Sequence, residues 1–259
     1  MMISLAQMGS KAPQQGSEGW HQQRKGRITG SKPAGLFFEL KSKEDMARIY
    51  AEWFLGKSPP PFDEEAIARM AWGTKYEDQA AIVLANSIKG AVFYERPLIP
   101  IKNTPFAASP DGYLIQYETN QDGKITFPLK VKDRFNIEIK CPLYEHRDDR
   151  AATLKAMKKK DSLIWYYAIQ IHMEMMSQGV RKTKFVIWTK YQTNIFTSEF
   201  DDELWRKAYA LLTAFKTNAT CFDHINNLKN ELRMECMRYA QKSKHTLVVL
   251  DEEASMAGL

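Results

Sequence analysis

The spacing of apolar positions changes along the chain and divides it into a helical, a strand-rich and a second mixed stretch. From about residue 17 to residue 88, apolar side chains recur every three or four positions, which predicts helices. From Ala91 to Lys140, apolar and polar positions alternate, which predicts strands. Beyond Ser162 helical spacing returns, apart from one pair of strands. This order predicts an α/β fold in which helices cover the faces of a sheet.

Two short helices are predicted near the start of the chain. Ser17 is placed to cap one that carries Trp20 and Arg24 on neighbouring turns of one face. Ser31 is placed to cap the next. A helix start offers unpaired amide donors, so Ser31 close to Arg24 suits a phosphate, although a capped turn beside a surface arginine explains the same residues. The inward positions predicted for the second helix are Leu36, Phe37 and Phe38.

Two further helices are predicted before the strands begin. One runs from Lys43 to Leu55, and a longer one starts after Asp63 and ends near Ile88. Glu77 lies in the middle of the longer helix, where it is placed either to reach a metal or to face solvent. The predicted inward positions are Met46, Ile49 and Trp53 in the shorter helix, and Ile67, Met70, Ala81, Leu84 and Ile88 in the longer one.

Four strands are predicted in the alternating stretch, with an Asp-Gly hairpin turn between Asn120 and Lys124. Their ranges are Ala91 to Ile101, Phe106 to Tyr117, Ile125 to Val131, and Phe135 to Lys140. The long excursion over residues 112–136 therefore joins the second strand to the fourth.

A cluster of charged residues is predicted at the ends of the second and fourth strands. Glu138 and Lys140 are two apart and share a strand face, while Ile137 and Ile139 point into a core. Asp111 follows Ser-Pro and precedes Gly112, at a predicted turn. If its strand neighbours that of Glu138, two carboxylates and an ammonium meet, a donor set that suits Mg²⁺ or Mn²⁺. The charged face of a half-buried strand is the ordinary alternative.

The second half of the chain continues with a charged segment and a buried helix. Glu145 to Asp161 includes Lys155, Lys158, Lys159 and Lys160, which describes either a solvated face or a DNA-backbone contact. Ser162 is predicted to open a helix that Gly179 ends and that is apolar on most sides. Gln170 is polar in that setting, which indicates either a function or a hydrogen-bonded core glutamine.

The remaining elements are predicted in a simple order. Lys184 to Thr189 and Asn194 to Phe200 form a strand pair, and Asp201 caps a helix with Leu204, Ala208 and Leu212 inward. One more amphipathic helix begins near Phe222. The last residues, from 242 to 259, are predicted to form a tail.

Composition narrows the class of protein. The 259 residues are 44% hydrophobic, carry a net charge of +6 and have a pI of about 9.0, which agrees with a nucleic-acid partner without establishing one. Cys141, Cys221 and Cys236 form no C-x-x-C pair, so free thiols in a reducing compartment are expected. No apolar run has the length of a membrane span, and the first residues lack a signal-peptide core.

Five ordered motifs now resemble one family: GWHQQRKGRITGS, AWGTKYEDQA, ASPDGYL, IEIKCP and YYAIQIHM. The chain is similar to the YqaJ-type viral recombinase family, to which the exonuclease of phage lambda belongs, within the PD-(D/E)XK nuclease superfamily. The resemblance covers roughly residues 16–200. It implies a restriction-endonuclease-like core, a central mixed β-sheet flanked by α-helices, within one domain over residues 17–241 that follows a flexible segment, residues 1–16.

The resemblance also implies roles for individual residues. The metal ligands would be Asp111, Glu138 and the backbone carbonyl of Ile139. The catalytic residues would include Lys140 and Gln170, which helps to place the water. Glu77 would lie near the metals and contact them directly or through a water. A 5′-terminal phosphate would be held by Arg24, Ser31 and Ser109, with Arg27 adding charge. Gly30 departs from the family, which usually has alanine there.

The function that this resemblance implies is a Mg²⁺-dependent 5′-to-3′ exonuclease that degrades one strand of linear duplex DNA and leaves a 3′ overhang for strand annealing. The resemblance also implies two Mg²⁺ ions, which Mn²⁺ could replace. It further implies a homotrimeric ring and a single-strand annealing protein as partner. An intracellular location follows, the bacterial cytoplasm for a phage protein. A related endonuclease, a non-catalytic DNA-binding subunit and a scaffold remain as alternatives.

Overall fold

The computed structural model describes residues 2–3, 13, 17–145, 147–158, 163–217 and 221–250. Most of the predicted flexible segment at residues 1–16 lies outside the described residues, as do Lys159, Lys160, Ser162 and residues 251–259. No helix in the described part of the chain combines the length and hydrophobicity that crossing a membrane requires.

A mixed seven-stranded sheet forms the centre of the molecule. In spatial order its strands are β1 (Met2–Ile3), β3 (Ala91–Tyr94), β6 (Gly112–Tyr117), β7 (Val131–Lys140), β8 (Lys182–Trp188), β9 (Gln192–Glu199) and β10 (Lys244–Val249). The pairs β1–β3 and β7–β8 are parallel and the others antiparallel. The predicted central mixed sheet is therefore confirmed.

A small second sheet accounts for two predicted strands that are wrong as single elements. It consists of β2 (Ile28–Thr29), β5 (Phe106–Ala108) and β4 (Ile99–Pro100) in that order. The predicted strands 91–101 and 106–117 each divide between the two sheets. The second divides at Ser109-Pro110, where proline has no N–H to continue a ladder. Asp111 therefore sits at a break between sheets, immediately before β6.

Helices cover both faces of the main sheet. They are α1 (Glu18–Arg24), α2 (Pro33–Phe38), α3 (Lys43–Phe54), α4 (Glu64–Asn86), α5 (Arg150–Lys158), α6 (Ala168–Gln178), α7 (Asp202–Thr217) and α8 (Phe222–Gln241), with a 3₁₀ turn at Trp165–Tyr167. One core joins α6 to α2, α3, α7 and α8 on one face of the sheet, and a second joins α4 to the other face. Ile137 and Ile139 belong to the α4 side, as the strand alternation predicts.

Several predicted helix boundaries are confirmed by their caps. Ser17 Oγ accepts a hydrogen bond from the Trp20 amide at 3.3 Å, and Asp63 Oδ1 accepts one from the Ala66 amide at 2.7 Å. Asp201 Oδ1 likewise accepts from the amide of Leu204 at 3.0 Å. These side chains satisfy amides that the first helical turn leaves unpaired.

Other predicted helix details are wrong. Ser31 is not a cap, because α2 begins at Pro33 and its N-cap position is Lys32, which makes no side-chain cap bond. Phe38 is 49% exposed because the six-residue α2 turns it away from the core. Ile67 and Met70 are exposed because the buried positions of α4 begin only at Tyr76, beyond its first turns.

The excursion between β6 and β7 contains no strand over residues 125–130, which corrects the predicted strand from Ile125 to Val131. Thr119 and Ile125 form an isolated antiparallel bridge around the predicted turn, where Gly123 has a φ of 78°. Pro128 has no N–H to donate, so the segment cannot extend that bridge into a ladder through this residue.

The predicted tail contributes a strand to the main sheet. Lys244–Val249 pairs antiparallel with β9, from Lys244 opposite Thr197 to Val249 opposite Gln192. The sheet therefore continues beyond the predicted boundary at residue 241. We propose one domain that extends at least to Val249. The three cysteines are free thiols, as predicted.

Candidate active site

Asp111, immediately before β6, reaches across to β7. Gly112 lies opposite Ile137 in the antiparallel register, so Asp111 stands beside the end of β7. Its Oδ2 accepts a hydrogen bond from the Ile139 amide at 2.7 Å. Burial and the nearby charge of Glu138 raise the pKa of the Asp111 carboxyl well above its ordinary range. The carboxylate is thus held close to the predicted Glu138–Lys140 face.

Glu138 and Lys140 share one face of β7, as predicted, and form an ion pair. Burial favours the neutral amine, yet the charges of Glu138 and Asp111 outweigh it and raise the pKa of Lys140 well above its ordinary value. The ammonium also lies 5.0 Å from the centre of the Tyr167 ring. The ion pair and the ring contact thus favour the charged form of Lys140, which suits charge stabilisation.

The two oxygens of Glu138 have different surroundings. Oε1 accepts hydrogen bonds from Gln170 Nε2 at 2.6 Å and from the Lys140 ammonium. Oε2 is buried and has no hydrogen-bond partner among the described residues. An ionised oxygen left unpaired in a buried site is costly. Oε2 is therefore the atom of this cluster that most needs a cation.

Glu77 belongs to the same electrostatic cluster, although it comes from α4. Burial, followed by the charge of Glu138, raises the pKa of Glu77, whereas Lys140 opposes that rise. The side chain is only partly exposed. The structure thus brings Glu77 within electrostatic reach of Glu138 and Lys140.

A preformed ligand cluster is not present: no three His, Cys, Asp or Glu side chains converge on a metal position in the described residues. Within the described residues, Lys140 forms an ion pair with Glu138. The donor chemistry nevertheless fits a hard divalent cation. Glu138 Oε2 has no partner among the described residues, and burial, followed by the negative charge of Glu138, raises the pKa values of Asp111 and Glu77.

A second cluster gathers around Arg24. Its Nη2 donates to Thr29 Oγ1 at 2.8 Å and to Ser31 Oγ at 3.2 Å, while its guanidinium lies 4.1 Å from the centre of the Trp20 ring. Trp20 Nε1 in turn donates to Ser109 Oγ at 3.5 Å. The structure therefore brings together the three residues predicted to hold a phosphate.

Positive charge in this second cluster has no carboxylate partner within the described part of the chain. Burial lowers the pKa of Arg24 to about 10, and burial together with Arg24 lowers the pKa of Lys32 to about 8. The Lys32 ammonium donates to the Arg27 carbonyl at 2.9 Å. Two desolvated cations that repel each other favour a bound anion. The predicted DNA contact by the Arg27 side chain remains a prediction.

Gly30 joins the two clusters. Its amide donates to the Ala107 carbonyl at 3.1 Å, which ties the Arg24 loop to β5. A Cβ at this position would lie 3.3 Å from Gln170 Cγ, closer than side chains normally pack. The departure from alanine therefore leaves room for Gln170 against the loop.

Comparisons with known proteins agree with this arrangement. Residues 19–181 match the YqaJ-like viral recombinase domain. The chain belongs to the YqaJ-like viral recombinase family. The matched range contains every predicted site residue, from Arg24 to Gln170, and ends immediately before β8. Hence β8, β9, α7, α8 and β10 extend the YqaJ-like match on its C-terminal side.

Solved structures show the same restriction-endonuclease-like fold. An alkaline exonuclease (LHK-Exo) from Laribacter hongkongensis is 21% identical and superposes with a TM-score of 0.50, covering 87% of this chain and 99% of its own. Its complex with dAMP is 22% identical, with a TM-score of 0.51 and the same coverage. No curated protein sequence matches this YqaJ-like chain.

Four residues of this YqaJ-like site were missed by sequence reasoning: Trp20 as a link to Ser109, Thr29, Asn136 and Glu174. Glu174 is 1% exposed, and burial and the charge of Glu138 raise its pKa well above the ordinary range. An acid four residues after Gln170 in an apolar helix was the available signal, because that spacing places both on one face. Thr29 and Asn136 gave no comparable signal, since neither the residue type nor the spacing sets either one apart within its strand.

Proposed function

We propose that this YqaJ-like protein is a Mg²⁺-dependent exonuclease that degrades one strand of linear duplex DNA from the 5′ end. The observation that carries the proposal is the juxtaposition of two complementary clusters. A carboxylate-rich site with an unpaired Glu138 oxygen lies next to an Arg24 pocket whose cations have no carboxylate partner in the described residues. Ser109, only two residues from Asp111, belongs to that pocket.

The first cluster supplies the metal ligands in this proposal. Asp111, Glu138 Oε2 and the carbonyl of Ile139 would hold Mg²⁺, with Mn²⁺ as a substitute, and Glu77 would assist through a water. When bound, one or two such ions supply activation of the attacking water and neutralisation of the leaving oxygen. The hydrogen bond from the Ile139 amide keeps Asp111 at the end of β7 whether or not the ligand set is complete.

Lys140 and Gln170 act on the charges and the water in this proposal. Lys140 keeps its proton and is anchored by Glu138 and the Tyr167 ring. It would stabilise the negative charge that develops on the phosphate oxygens during hydrolysis. Gln170 is fixed against Glu138 at 2.6 Å and would help to place the attacking water.

The second cluster determines the polarity of digestion. A terminal phosphate carries more negative charge than an internal one and leaves more of its oxygens free for hydrogen bonds. Arg24 would bind it with Ser31, Ser109 and the charge of Arg27. A duplex end anchored there by its 5′-phosphate presents the adjacent phosphodiester to the carboxylate site.

The product of this reaction would be a 3′ single-stranded overhang. By family analogy, we propose that a single-strand annealing protein receives that overhang and that three subunits form a ring around the duplex. For a phage protein the place of action would be the cytoplasm of a bacterial host.

End-labelled linear duplex with Mg²⁺ tests the direction of digestion. We expect a 5′ label to be released as mononucleotide from the start, while a 3′ label on the same strand is released only late. Early loss of the 3′ label, or cutting of covalently closed circles, would contradict this polarity, and the latter would favour an endonuclease.

The phosphate pocket is tested by comparing 5′-phosphate and 5′-hydroxyl ends. A hydrogen bond to a charged group contributes about 1.5–3 kcal/mol, so we expect digestion of the hydroxyl end to be roughly ten- to a hundredfold slower. Arg24→Ala should shrink the difference between the two ends. Lys25→Ala, an exposed neighbouring cation, is the matched control and should preserve it. Equal wild-type rates on both ends would remove the pocket from the proposal.

A further inference from the structure

The side-chain amide of Gln170 donates hydrogen bonds to two carboxylates. Its Nε2 donates to Glu138 Oε1 at 2.6 Å and to Glu174 Oε1 at 2.9 Å. A primary amide has two N–H donors and one carbonyl oxygen. Both donors are therefore used, and only the carbonyl oxygen is left to serve a water.

The orientation of this amide follows from chemistry. If the amide were turned around, its carbonyl oxygen would face the oxygens of both Glu138 and Glu174, and acceptors facing acceptors repel. Glu138 alone would favour the observed orientation, but a single contact leaves one N–H able to turn toward a water. Glu174 occupies that second N–H.

Glu174 is itself held by a buried network between α6 and β7. Its Oε2 accepts from Asn136 Nδ2 at 2.9 Å, and the same Nδ2 donates to Thr183 Oγ1 at 3.1 Å. Asn136 Oδ1 accepts from Gln178 Nε2 at 2.6 Å. Each oxygen of Glu174 thus has a donor of fixed position, so the carboxylate cannot rotate freely.

Gly30 restricts the same side chain from the opposite direction. The space where a Cβ would stand is 3.3 Å from Gln170 Cγ and 3.8 Å from Glu174 Oε1. The backbone of the Arg24 loop therefore packs directly against the stem of Gln170. With its stem packed and both N–H groups engaged, the amide has one accessible arrangement.

We propose that Glu174 is a positioning residue that locks the amide of Gln170, so that Gln170 meets the attacking water with its carbonyl oxygen as a hydrogen-bond acceptor. This inference rests on the proposed nuclease function and specifies how one residue of that site works. An acceptor draws a proton of the water toward itself and turns a lone pair of the water away, toward the phosphorus. A donating amide would instead tie up that lone pair.

A purely structural role would be an unusual use of this residue. Burying a carboxylate beside Glu138 costs stability, and the other buried side chains of α6, apart from Gln170 and His172, are apolar. Ser177 offers a contrast on the same helix, because its hydroxyl only donates to the Glu174 backbone carbonyl at 2.8 Å.

The test is a double-mutant cycle in which the rate of nucleotide release from 5′-phosphorylated duplex is measured. Glu174→Gln keeps the shape but sets an NH₂ group against either Gln170 Nε2 or Asn136 Nδ2. Since loss of an orienting partner typically costs 10–100-fold, we expect kcat to fall by about that factor, with KM and DNA affinity within about twofold of wild type. Ser177→Ala is the matched control and should leave kcat unchanged.

The decisive readout is additivity. If Glu174 acts through Gln170, the double variant Glu174→Gln/Gln170→Ala should be no slower than Gln170→Ala alone. Multiplied losses in the double variant, or an unchanged kcat in Glu174→Gln, would overturn the inference while the nuclease function stands. A wild-type protein that leaves duplex ends intact would overturn both. Glu174→Asp, which keeps the charge but withdraws the acceptor, repeats the cycle if the glutamine variant does not fold.

Discussion

Helix α6 carries buried polar side chains toward two different neighbours, and the two groups are satisfied very differently. Toward α7, His172 is fully buried, its Nδ1 lies 2.7 Å from the Ala168 carbonyl, and its Nε2 accepts from the Asp201 amide at 3.0 Å. Toward β7, Gln170 Nε2 donates to both Glu174 and Glu138, and Glu138 Oε2 remains unpaired among the described residues.

The difference separates a polar group whose hydrogen bonds are complete within the protein from a group that leaves a buried oxygen without a partner among the described residues. His172 uses both ring nitrogens within the protein and needs no ligand, so its burial is stable in the neutral form. The β7 side concentrates Asp111, Glu138 and Glu174 around the cation Lys140, and burial raises the pKa of two of these carboxyls, Asp111 and Glu174. Carboxyls with pKa values shifted by burial and by a neighbouring charge are typical of sites that bind a ligand or carry out a reaction.

The largest expected effect comes from removing charge on the β7 side. Asp111→Asn should lower the rate of DNA digestion roughly a thousandfold or more, because a ligand of the proposed metal site is lost. The asparagine oxygen still accepts from the Ile139 amide, so the fold should be kept. Single-turnover digestion of labelled duplex measures the loss.

The direction of the change in stability that Asp111→Asn causes in metal-free buffer follows from the raised pKa of Asp111. The folded-state pKa of Asp111 is raised, so its charge destabilises the fold increasingly as pH rises through that value. Asparagine never ionises, so the variant should equal wild type at low pH and gain stability relative to it at alkaline pH. Asp122→Asn, an exposed turn residue, is the control. Near wild-type digestion by Asp111→Asn would refute its metal role.

Lys140→Met should have the next largest effect and the opposite effect on stability. Loss of the cation should slow digestion about a hundred- to a thousandfold, since its charge acts mainly in the transition state. DNA affinity should change little, which a binding assay without divalent cation measures. In metal-free buffer the variant should melt below wild type, because the carboxylates lose the cation that neutralises them. If Lys140→Met turns over normally but binds DNA weakly, Lys140 only contacts the DNA backbone.

The same contrast explains how far the sequence predicts the site. Asp111, Glu138 and Lys140 were predictable because strand alternation places two of them on one face and the turn before Gly112 places the third. The Gln170–Glu174 pair was predictable in part, since helical spacing places both residues on one face but does not show which residues that face contacts. Asn136 meets Glu174 only through the packing of α6 on β7, which no local pattern records.

The elements that were mispredicted failed for related reasons. Ser31 has the residue type and position of a cap, but Arg24 takes its hydroxyl as an acceptor instead. Ile67 and Met70 have helical spacing, yet α4 extends beyond the sheet that would cover them. Lys244–Val249 forms an edge strand because β9 offers unpaired backbone groups, a property of the assembled sheet.

The burial of His172 predicts an effect of pH on stability but not on activity. Burial lowers the pKa of His172 from 6.5 to about 4, so the unfolded chain takes up a proton first as pH falls. The protein should therefore lose about 3 kcal/mol of unfolding free energy between those two values. His172→Leu should abolish this part of the acid sensitivity while leaving kcat per folded molecule unchanged. His224→Leu, an exposed histidine on α8, should retain it. Acid sensitivity that persists in His172→Leu would show that other groups cause it.

The smallest expected effect is the stabilisation that Mg²⁺ gives to the β7 side. A ligand that binds only the folded state at ten times its Kd adds about 1.4 kcal/mol, so wild type should melt at a higher temperature with Mg²⁺ than without it. The raised pKa of Asp111 means that protons compete for this carboxylate, so the shift should be larger at alkaline pH than at acidic pH. His172→Leu should show the full shift, because its nitrogens play no part in the ligand set. Asp111→Asn should show little or none, and an equal shift in both variants would place the cation elsewhere and remove the distinction between the two sides of α6.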